Sequence, residues 1–323
     1  MILTNDNKYE ESRRKQLKID EFNSVEHPFM EQLKELGWND DANEVIELQM
    51  QQLPSDSFRT SFSEVVLMPK LRKALKQIND FLTDSQIDEV ANRITAYQGG
   101  TLLENNECIF NLLVEGTSVS RNEQTGEQSP SVRYIDFDHP ENNIFTAISQ
   151  FKVAIPGTDH HIIPDIVLFL NGLPIVVVEA KSPKVSEPLP EAIDQLMRYS
   201  EQRGDTGEGN PALFQYNQFL IVTCRNEAKA GTITTHREKY FYRWTDPYPM
   251  TLNDLTHGQS APNDQQRLVA GMLSLQNLLD IIRIFTIFSI NDKGKKIKIV
   301  CRYQQFRAVK KMVKRLQEGK TKE

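Results

Sequence analysis

Hydrophobic residues recur at helical spacing in the first part of the chain. Glu26–Leu36 carries apolar residues three and four positions apart and is followed by Gly37, which predicts an amphipathic helix ending at the glycine. Ser61–Ile78 and Ser85–Thr95 show the same spacing and predict two more helices. Residues 1 to about 22 are polar and lack this period, and we expect them to be mobile.

After Gln98-Gly99-Gly100 the pattern changes to short β-branched and aromatic runs, which predict a strand-rich part. A helix is predicted over Leu189–Glu201. Two charged residues interrupt the longest apolar region, Leu273–Ile290, which predicts a buried helix and not a membrane span. Lys295–Val300 predicts a strand, and Gln304–Gln317 predicts a basic amphipathic helix. The predicted strands of the middle part are Cys108–Glu115, Val132–Phe137, Ile144–Ala154, Ile166–Leu170, Pro174–Ala180 and Phe219–Cys224.

The most informative stretch is Pro164–Lys181, PDIVLFLNGLPIVVVEAK. Asn171-Gly172 between two apolar runs predicts a β-hairpin. A turn centred on the glycine places Asp165 opposite Glu179, and paired residues of antiparallel strands have Cβ atoms roughly 5 Å apart. Glu179 and Lys181 share a face because side chains alternate along a strand. Two carboxylates and one ammonium are therefore predicted to meet at one end of the hairpin.

This group of side chains suits metal-assisted hydrolysis of a phosphodiester. Asp165 and Glu179 offer the oxygen ligands that Mg²⁺ prefers, and bound Mg²⁺ lowers the pKa of a water. Lys181 can orient that water or stabilise negative charge on the phosphate. The alternative is a surface salt bridge at a strand end, since Glu-x-Lys is a common pattern.

These residues resemble a nuclease signature. Pro164-Asp165 followed by Glu179-Ala180-Lys181 resembles the PD-(D/E)XK motif, and Gln195 with Tyr199 resembles the Q-x-x-x-Y motif of its RecB-like branch. The surrounding phrases, including YFYRWTDP at Tyr240–Pro247, are similar to the nuclease domain of type I restriction enzyme R subunits, the motor subunits. The resemblance extends over most of the chain.

The resemblance implies an α/β fold with a PD-(D/E)XK restriction-endonuclease-like core, in which helices flank a mixed central sheet. It implies N-terminal helices before this core and the start of a helicase motor domain after it. On this interpretation residues 1–97 form the helical region with the first nuclease helix, and residues 98–250 form the endonuclease core. Residues 251–323 then form a connecting helical segment and the beginning of the first motor domain.

The resemblance also implies a role for each motif residue. Asp165, Glu179 and Lys181 would be catalytic, with the two acids holding Mg²⁺. Gln195 and Tyr199 share a helix face because they are four residues apart, and they would bind DNA or support the site. A tyrosine packed in the core beside an incidental glutamine is the alternative.

Two other pairs of residues are possible metal ligands, Glu26 with Glu31 and His160 with His161. A glutamate on the first core helix lies near the metal in some relatives of the resembled family, which makes Glu26 and Glu31 candidates. An ordinary surface acid is the interpretation that the sequence favours for both. His160 and His161 are adjacent on a predicted extended segment and should point to opposite faces, so we do not expect them to chelate one metal.

The C-terminal part resembles the opening of a motor domain. The phrase RYQQFRAV at Arg302–Val309 lies just before the first ATP-binding motif in the resembled family, with its glutamines close to the adenine. Gln304 and Gln305 are therefore implied nucleotide contacts once the motor is present. Gly319-Lys320-Thr321 lacks the earlier glycine of a P-loop, where Lys314 stands, so we expect no ATP hydrolysis by this chain.

Charge and composition narrow the partners. The net charge is −6, but the last 31 residues hold 12 Lys or Arg against two Glu, enough to neutralise phosphates or to form a solvated helix face. The three cysteines lack metal-site or disulfide spacing and fit a reducing compartment. A polar, acidic N-terminus is no signal peptide, so we expect a cytoplasmic protein without membrane contact.

The sequence thus predicts a Mg²⁺-dependent endonuclease domain of a type I restriction R subunit that cuts double-stranded DNA. The resemblance implies methylation and specificity subunits as partners, and ATP-driven translocation by motor domains absent from this chain. One alternative is a stand-alone RecB-like DNA repair nuclease, against which the motor-like C-terminus argues. The other is a non-catalytic nuclease-fold docking module for methylation subunits, against which the complete signature argues.

Overall fold

The computed structural model describes residues 16–18, 20–48, 52–96, 99–256 and 261–319. The helices are α1 (His27–Leu33), α2 (Met68–Ile78), α3 (Asp84–Thr95), α4 (Leu102–Glu115), α5 (Pro188–Tyr199), α6 (Asp264–Leu273), α7 (Leu275–Ile284) and α8 (Tyr303–Gln317). The strands are β1 (Glu44–Ile46), β2 (Thr117–Ser118), β3 (Ser131–Val132), β4 (Phe145–Ser149), β5 (Val153–Ala154), β6 (His161–Ile162), β7 (Ile166–Leu170), β8 (Leu173–Ala180), β9 (Phe219–Thr223), β10 (Ala228–Gly231), β11 (Thr286–Ile290) and β12 (Lys296–Val300).

A mixed six-stranded sheet forms the centre of the fold. Its strand order is β1-β4-β7-β8-β9-β10, with parallel pairs β1–β4 and β8–β9 and antiparallel pairs between the others. Every residue of β4, β7, β8 and β9 is buried, which is why these strands are nearly continuous apolar runs. Helix α5 packs on β8 and β9, and α1 packs on α6 and β4. The predicted α/β class with a mixed central sheet flanked by helices is confirmed.

The predicted hairpin is β7–β8, and its turn explains the register. Asn171 has φ 53° and Gly172 has φ 79°, as a two-residue type I′ turn requires. A register shift between Leu168 and Phe169 then brings Ile166 opposite Val178. Continued by one residue, this register brings Asp165 opposite Glu179 as predicted, but the register shift produces the pairing: Leu170 pairs with Leu173, so the turn is not centred on the glycine.

The helices predicted in the N-terminal part are confirmed, with shifted ends. π-Helical turns Phe22–Glu26 and Lys34–Trp38 flank α1, and Gly37 has φ 89° near its end. Most of the N-terminal segment expected to be mobile lies outside the described residues, but residues 20 to 22 are helical, contrary to that expectation. Helix α2 begins only at Met68, because the Leu67 N–H donates to the Gly172 carbonyl at 2.9 Å.

The predicted strand Cys108–Glu115 is wrong, since this run is the second half of α4. A capping box begins the helix: the Thr101 hydroxyl accepts the Glu104 N–H at 3.3 Å, and the Glu104 carboxylate accepts the Thr101 N–H at 2.8 Å. Ile109 and Leu113, four residues apart, are buried on its inner face. A short apolar run fits either element, and here the upstream cap decides for the helix.

Three other predicted elements are divided differently. Of Val132–Phe137, only the first residue lies in a strand, β3. Ile144–Ala154 becomes β4 and β5, separated at Gln150 with φ 50°. The single buried helix predicted over Leu273–Ile290 is wrong, because Ser274 has ψ 136° and separates α6 from α7, and the β-branched end forms β11.

The C-terminal part packs against the rest as a hairpin and a helix. Strands β11 and β12 pair antiparallel, and α8 follows them, close to the predicted bounds. The Phe306 ring lies 5.5 Å from Trp244 and 5.0 Å from Phe285, which anchors the start of α8. Among the described residues, no helix combines the length and apolar character that crossing a membrane requires.

Candidate metal centre and cleft

The three signature side chains meet at one end of the β7–β8 hairpin. Asp165 is 6% exposed, Glu179 is 0% exposed and Lys181 is 6% exposed. The Asp165 Oδ2 accepts the Ala180 N–H at 2.7 Å, while the Lys181 Nζ donates to the Glu179 Oε1 and to the Ala180 carbonyl, both at 2.9 Å. The ion pair is buried, so the surface salt bridge weighed from the sequence does not describe it.

Glu179 carries an unsatisfied buried atom. Its Oε2 is buried and receives no hydrogen bond from the residues that the structure describes, while the Asp165 carboxylate lies within hydrogen-bonding reach of the same side chain. Burial and then the charge of Asp165 raise the pKa of Glu179 well above its usual value. Burial also raises the pKa of Asp165, against the opposing charge of Lys181. Two adjacent buried carboxylates need either a shared proton or a cation between them.

Two further carboxylates join from the helix that precedes the sheet. Oxygens of Glu21, Glu26 and Asp165 lie within 4.8 Å of one another. Burial and then the charge of Asp165 raise the pKa of Glu21 to about 7 and that of Glu26 to about 8. The sequence offered Glu26 and Glu31 as candidates, and Glu26 is the one that lies at the centre. Glu31 is exposed and pairs with Lys34 at 2.6 Å.

Glu21 is the site residue that sequence reasoning missed. It precedes a π-helical turn, Phe22–Glu26, in which hydrogen bonds join residues five apart. That spacing brings Glu21 and Glu26 to the same side of the helix, whereas an ordinary α-helix would place residues five apart on different faces. A polar segment without apolar periodicity gives no sign of this local geometry.

The donor set fits a hard divalent cation. Four carboxylates surround one ammonium, and the charges of Glu179, Asp165 and Glu21 outweigh burial and raise the pKa of Lys181. Carboxylate oxygens are the ligands of Mg²⁺ and Mn²⁺. The unsatisfied Oε2 of Glu179 is an acceptor that a cation would satisfy.

Gln195 and Tyr199 lie on the wall beside these acids. The Gln195 Nε2 donates to the Tyr199 hydroxyl at 2.7 Å, and that hydroxyl donates to the Ile163 carbonyl at 3.4 Å. Burial, followed by the charges of Glu179 and Asp165, raises the pKa of Tyr199. Tyr199 packs in the core and also lines the cleft. It therefore has features of a core residue and of a residue that supports the site.

A cleft of about 1310 Å³ opens over Glu21, Glu26 and Asp165. Lysine and arginine side chains lie along it as well as carboxylates. His160 and His161 line the cleft, but among the residues that the structure describes neither histidine belongs to a group of potential metal ligands. The polar lining residues include Lys18, Asn23, Gln150, His160, His161, Lys181, Glu191, Gln195, Arg198 and Glu208.

The implied nucleotide contacts lie elsewhere, in the first turn of α8. Gln304 is exposed, and the Gln305 Oε1 accepts the Arg302 N–H at 2.8 Å as part of the helix cap. Neither residue lines the cleft over Asp165. Their role in nucleotide binding stays a prediction.

The fold is a mixed α/β fold, and it carries a buried acidic centre with a lysine at the end of one hairpin. These features define the class of protein. A family model described as "Type I restriction enzyme R protein N terminus" matches residues 18–239, and the chain belongs to this family. The resemblance to type I restriction enzyme R subunits is thereby confirmed.

Named relatives agree with the family. The chain is 29% identical over 292 residues to the type I restriction enzyme HindI endonuclease subunit of Haemophilus influenzae, covering 90% of this chain and 26% of that protein. It is 31% identical over 261 residues to the "Putative type I restriction enzyme MjaVIIIP endonuclease subunit" of Methanocaldococcus jannaschii, covering 79% of this chain and 23% of that protein. The chain thus spans about a quarter of the length of these relatives.

Proposed function

We propose that this chain is the Mg²⁺-dependent endonuclease domain of a type I restriction R subunit, built on a PD-(D/E)XK core. The observation that carries the proposal is the buried centre of Asp165, Glu179 and Lys181, in which one carboxylate oxygen lacks a donor. The family match and the relatives named as endonuclease subunits support it. The substrate is double-stranded DNA.

Each side chain at the centre has a distinct task. Asp165 and Glu179 would hold the cation, and Glu21 and Glu26, whose carboxylate oxygens lie within 4.8 Å of an Asp165 oxygen, would add ligands or accept a proton from water. Bound Mg²⁺ would supply the Lewis acidity that activates water and offsets charge on the phosphate. The Lys181 ammonium donates two of its N–H groups to Glu179 and to the Ala180 carbonyl. Its third N–H group can donate to the attacking water or to a phosphate oxygen.

The cleft provides the route for the DNA backbone. Lys18, Arg198, His160 and His161 lie along it and can contact phosphates on either side of the scissile bond. Acidic groups concentrate where the cation would bind, so a phosphate is attracted to the centre only when the cation is loaded. Attack of water on phosphorus then breaks one P–O bond of the backbone.

In this proposal the chain works inside a larger complex. Methylation and specificity subunits would select the DNA site, and motor domains beyond this chain would use ATP to move the DNA. The hairpin β11–β12 and α8 would begin the first motor domain, so that residues 1–97, 98–250 and 251–323 correspond to the predicted divisions. A cytoplasmic location goes with this role.

Calorimetric titration with Mn²⁺ tests the centre. We expect saturable binding by the wild-type chain, weak without DNA because phosphate oxygens normally complete such a coordination shell. Asp165→Ala should abolish this binding and the cleavage of plasmid DNA. Asp159→Ala removes an exposed acid from the nearby turn and serves as the matched control. Equal Mn²⁺ binding by wild type and Asp165→Ala would refute the assignment.

The titration together with a DNA cleavage assay separates the alternatives. A non-catalytic docking module predicts no divalent-cation binding and no cleavage, even in the complete complex. A stand-alone repair nuclease predicts full cleavage of linear DNA by this chain alone, without ATP. The proposed function predicts cation binding by the chain and efficient cleavage only with the motor and the other subunits.

A further inference from the structure

Gln150 has an unusual backbone at the edge of the acidic centre. It follows β4 and has φ 50°, a left-handed conformation that favours glycine over residues with a side chain. Its N–H donates to the Asp165 carbonyl at 2.7 Å, and the neighbouring Phe151 N–H donates to the Pro164 carbonyl at 3.1 Å. The Gln52 amide donates to the Gln150 carbonyl. Surrounding contacts therefore hold Gln150 in a conformation that an unconstrained residue would rarely adopt.

The Gln150 side chain joins two of the four acids. Its Nε2 donates to the Glu26 Oε2 at 2.8 Å and faces the Asp165 Oδ1 at 3.4 Å. With the amide reversed, its oxygen would stand against two carboxylates, so the donor orientation is the favourable one. Asp165 is already fixed through its other oxygen by the Ala180 N–H at 2.7 Å. The amide therefore sets the position of Glu26 relative to an anchored Asp165.

We propose that Gln150 is a positioning residue of the metal centre, a role that rests on the proposed function. Glu26 lies on a helix and Asp165 immediately before strand β7 of the central sheet, 124 and 15 residues from Gln150 in the chain. Nothing in the local structure of either element aims both carboxylates at one point. By donating to both, the amide offsets their repulsion and turns them toward a common cation. Outer-shell partners of this kind tune metal affinity without touching the metal.

Gln150→Gly separates this role from backbone support, because glycine accepts the left-handed backbone while the side chain and its amide are removed. We expect a melting temperature equal to or above that of wild type, together with Mn²⁺ affinity weakened about tenfold or more. Ser129→Gly is the matched control: Ser129 has φ 55° and is exposed, and its replacement should leave Mn²⁺ affinity unchanged. Gln150→Asn tolerates the same backbone but is one methylene shorter, and it should bind Mn²⁺ as weakly as Gln150→Gly.

A double-mutant cycle shows whether Gln150 acts through Glu26. In a Glu26→Gln background, the further change Gln150→Gly should reduce Mn²⁺ affinity by a clearly smaller factor than in wild type. Wild-type Mn²⁺ affinity in Gln150→Gly, or equal factors in the two backgrounds, would overturn the positioning role while leaving the metal centre intact. Failure of the wild-type chain to bind Mn²⁺ would overturn the centre itself, and the role of Gln150 with it.

Discussion

At the scale of single residues, the candidate centre is a concentration of buried charge that the protein balances only in part. Lys181 stands among Glu179, Asp165 and Glu21, and its pKa is raised because their charges outweigh the effect of burial. The same surroundings raise the pKa of every carboxyl group in the cluster. Perturbed groups collected in a cleft are typical of functional sites. Substitution of each of these side chains should therefore have its own effect on cleavage, cation binding or stability.

Lys181→Met should strongly slow DNA cleavage and spare the fold and Mn²⁺ binding, because the ammonium acts on water or phosphate and is no metal ligand. Loss of one such electrostatic contact typically costs on the order of 10²–10³-fold in rate. Single-turnover cleavage by the reconstituted complex measures it, with ATP hydrolysis expected to persist. The control is Lys184→Met, which removes an exposed lysine paired with Asp20 at 2.6 Å. Wild-type cleavage by Lys181→Met would contradict the assigned role.

Tyr199→Phe should slow cleavage and lower the melting temperature far less than Tyr199→Ala, since it removes only a hydroxyl bonded to Gln195 and Ile163. A lost hydrogen bond is worth ~1 kcal/mol, or up to about tenfold in rate when it is made only in the transition state. Tyr199→Ala should also unfold more easily, by roughly 3 kcal/mol or more, because the ring is buried. Tyr242→Phe, which removes a buried hydroxyl without a partner, is the control. Normal cleavage by Tyr199→Phe would leave the tyrosine with a packing role alone.

The free energy of unfolding of the metal-free protein should fall as pH rises from about 4.5 to about 8. Folding raises the pKa of Glu21 to about 7 and that of Glu26 to about 8, so the native state keeps protons that the unfolded chain releases in this window. For each proton that the native state retains, the free energy of unfolding falls by about 1.4 kcal/mol per pH unit. Urea unfolding across this range with a chelator measures the slope. Glu26→Gln and added Mg²⁺ should each flatten it, and a slope unchanged by both would speak against a buried acidic cluster.

At the scale of elements, the β7–β8 hairpin is what brings the two signature acids together. Its type I′ turn fits the twist of the strands, and the register shift beyond the turn places Asp165 beside Glu179. The turn also contacts α2, since a Cβ on Gly172 would lie 2.5 Å from the Leu67 carbonyl oxygen. The glycine is therefore required both for its positive φ and for this close approach.

Gly172→Ala should destabilise the protein by roughly 2 kcal/mol or more, from backbone strain and from the clash with the Leu67 carbonyl. Gly157→Ala separates the two causes: Gly157 has φ 75°, close to the 79° of Gly172, but nothing lies within 4 Å of its added Cβ. Denaturant unfolding of both variants gives the comparison. The contribution of the close approach is the difference between them, and equal losses would mean that the approach costs nothing.

At the scale of the whole molecule, Lys298 joins the C-terminal hairpin to the central sheet. Its buried Nζ donates to the Asn106 Oδ1 at 2.9 Å, the Asn217 carbonyl at 2.8 Å and the Gln218 Oε1 at 3.0 Å. These acceptors come from α4 and from the segment that enters β9. Burial lowers the pKa of Lys298, but three acceptors satisfy all three N–H groups. The hairpin therefore has a defined position on the core.

Lys298→Met should destabilise the protein by roughly 3 kcal/mol, because methionine fills the space but leaves the Asn106 Oδ1 and the Gln218 Oε1 without their donor. The Asn217 carbonyl keeps the bond from the Asn106 amide. Thermal and denaturant unfolding measure the loss. Lys295→Met, at an exposed position of the same hairpin, should unfold like wild type. If Lys298→Met were as stable as wild type, the hairpin would be held by its apolar contacts alone.

The sequence by itself determined the features that depend on short-range geometry. Asn171-Gly172 defines a hairpin, alternation along β8 puts Glu179 and Lys181 on one face, and the apolar runs mark the buried strands. These depend on backbone preferences of neighbouring residues, which a single chain reveals. The same local logic failed for Cys108–Glu115, where a short apolar run fits a strand as well as a helix.

The tertiary structure alone decided which distant groups complete the centre. Glu21 and Glu26 reach Asp165 only because α1 packs on β4, and a π-helical turn, which has no periodic sequence signal, aligns the two glutamates. Gln150 meets Glu26 across 124 residues of chain. The raised pKa values likewise arise from burial that many segments produce together. Proximity between distant residues, and the desolvation that comes with it, belong to the packed fold and not to any local stretch of sequence.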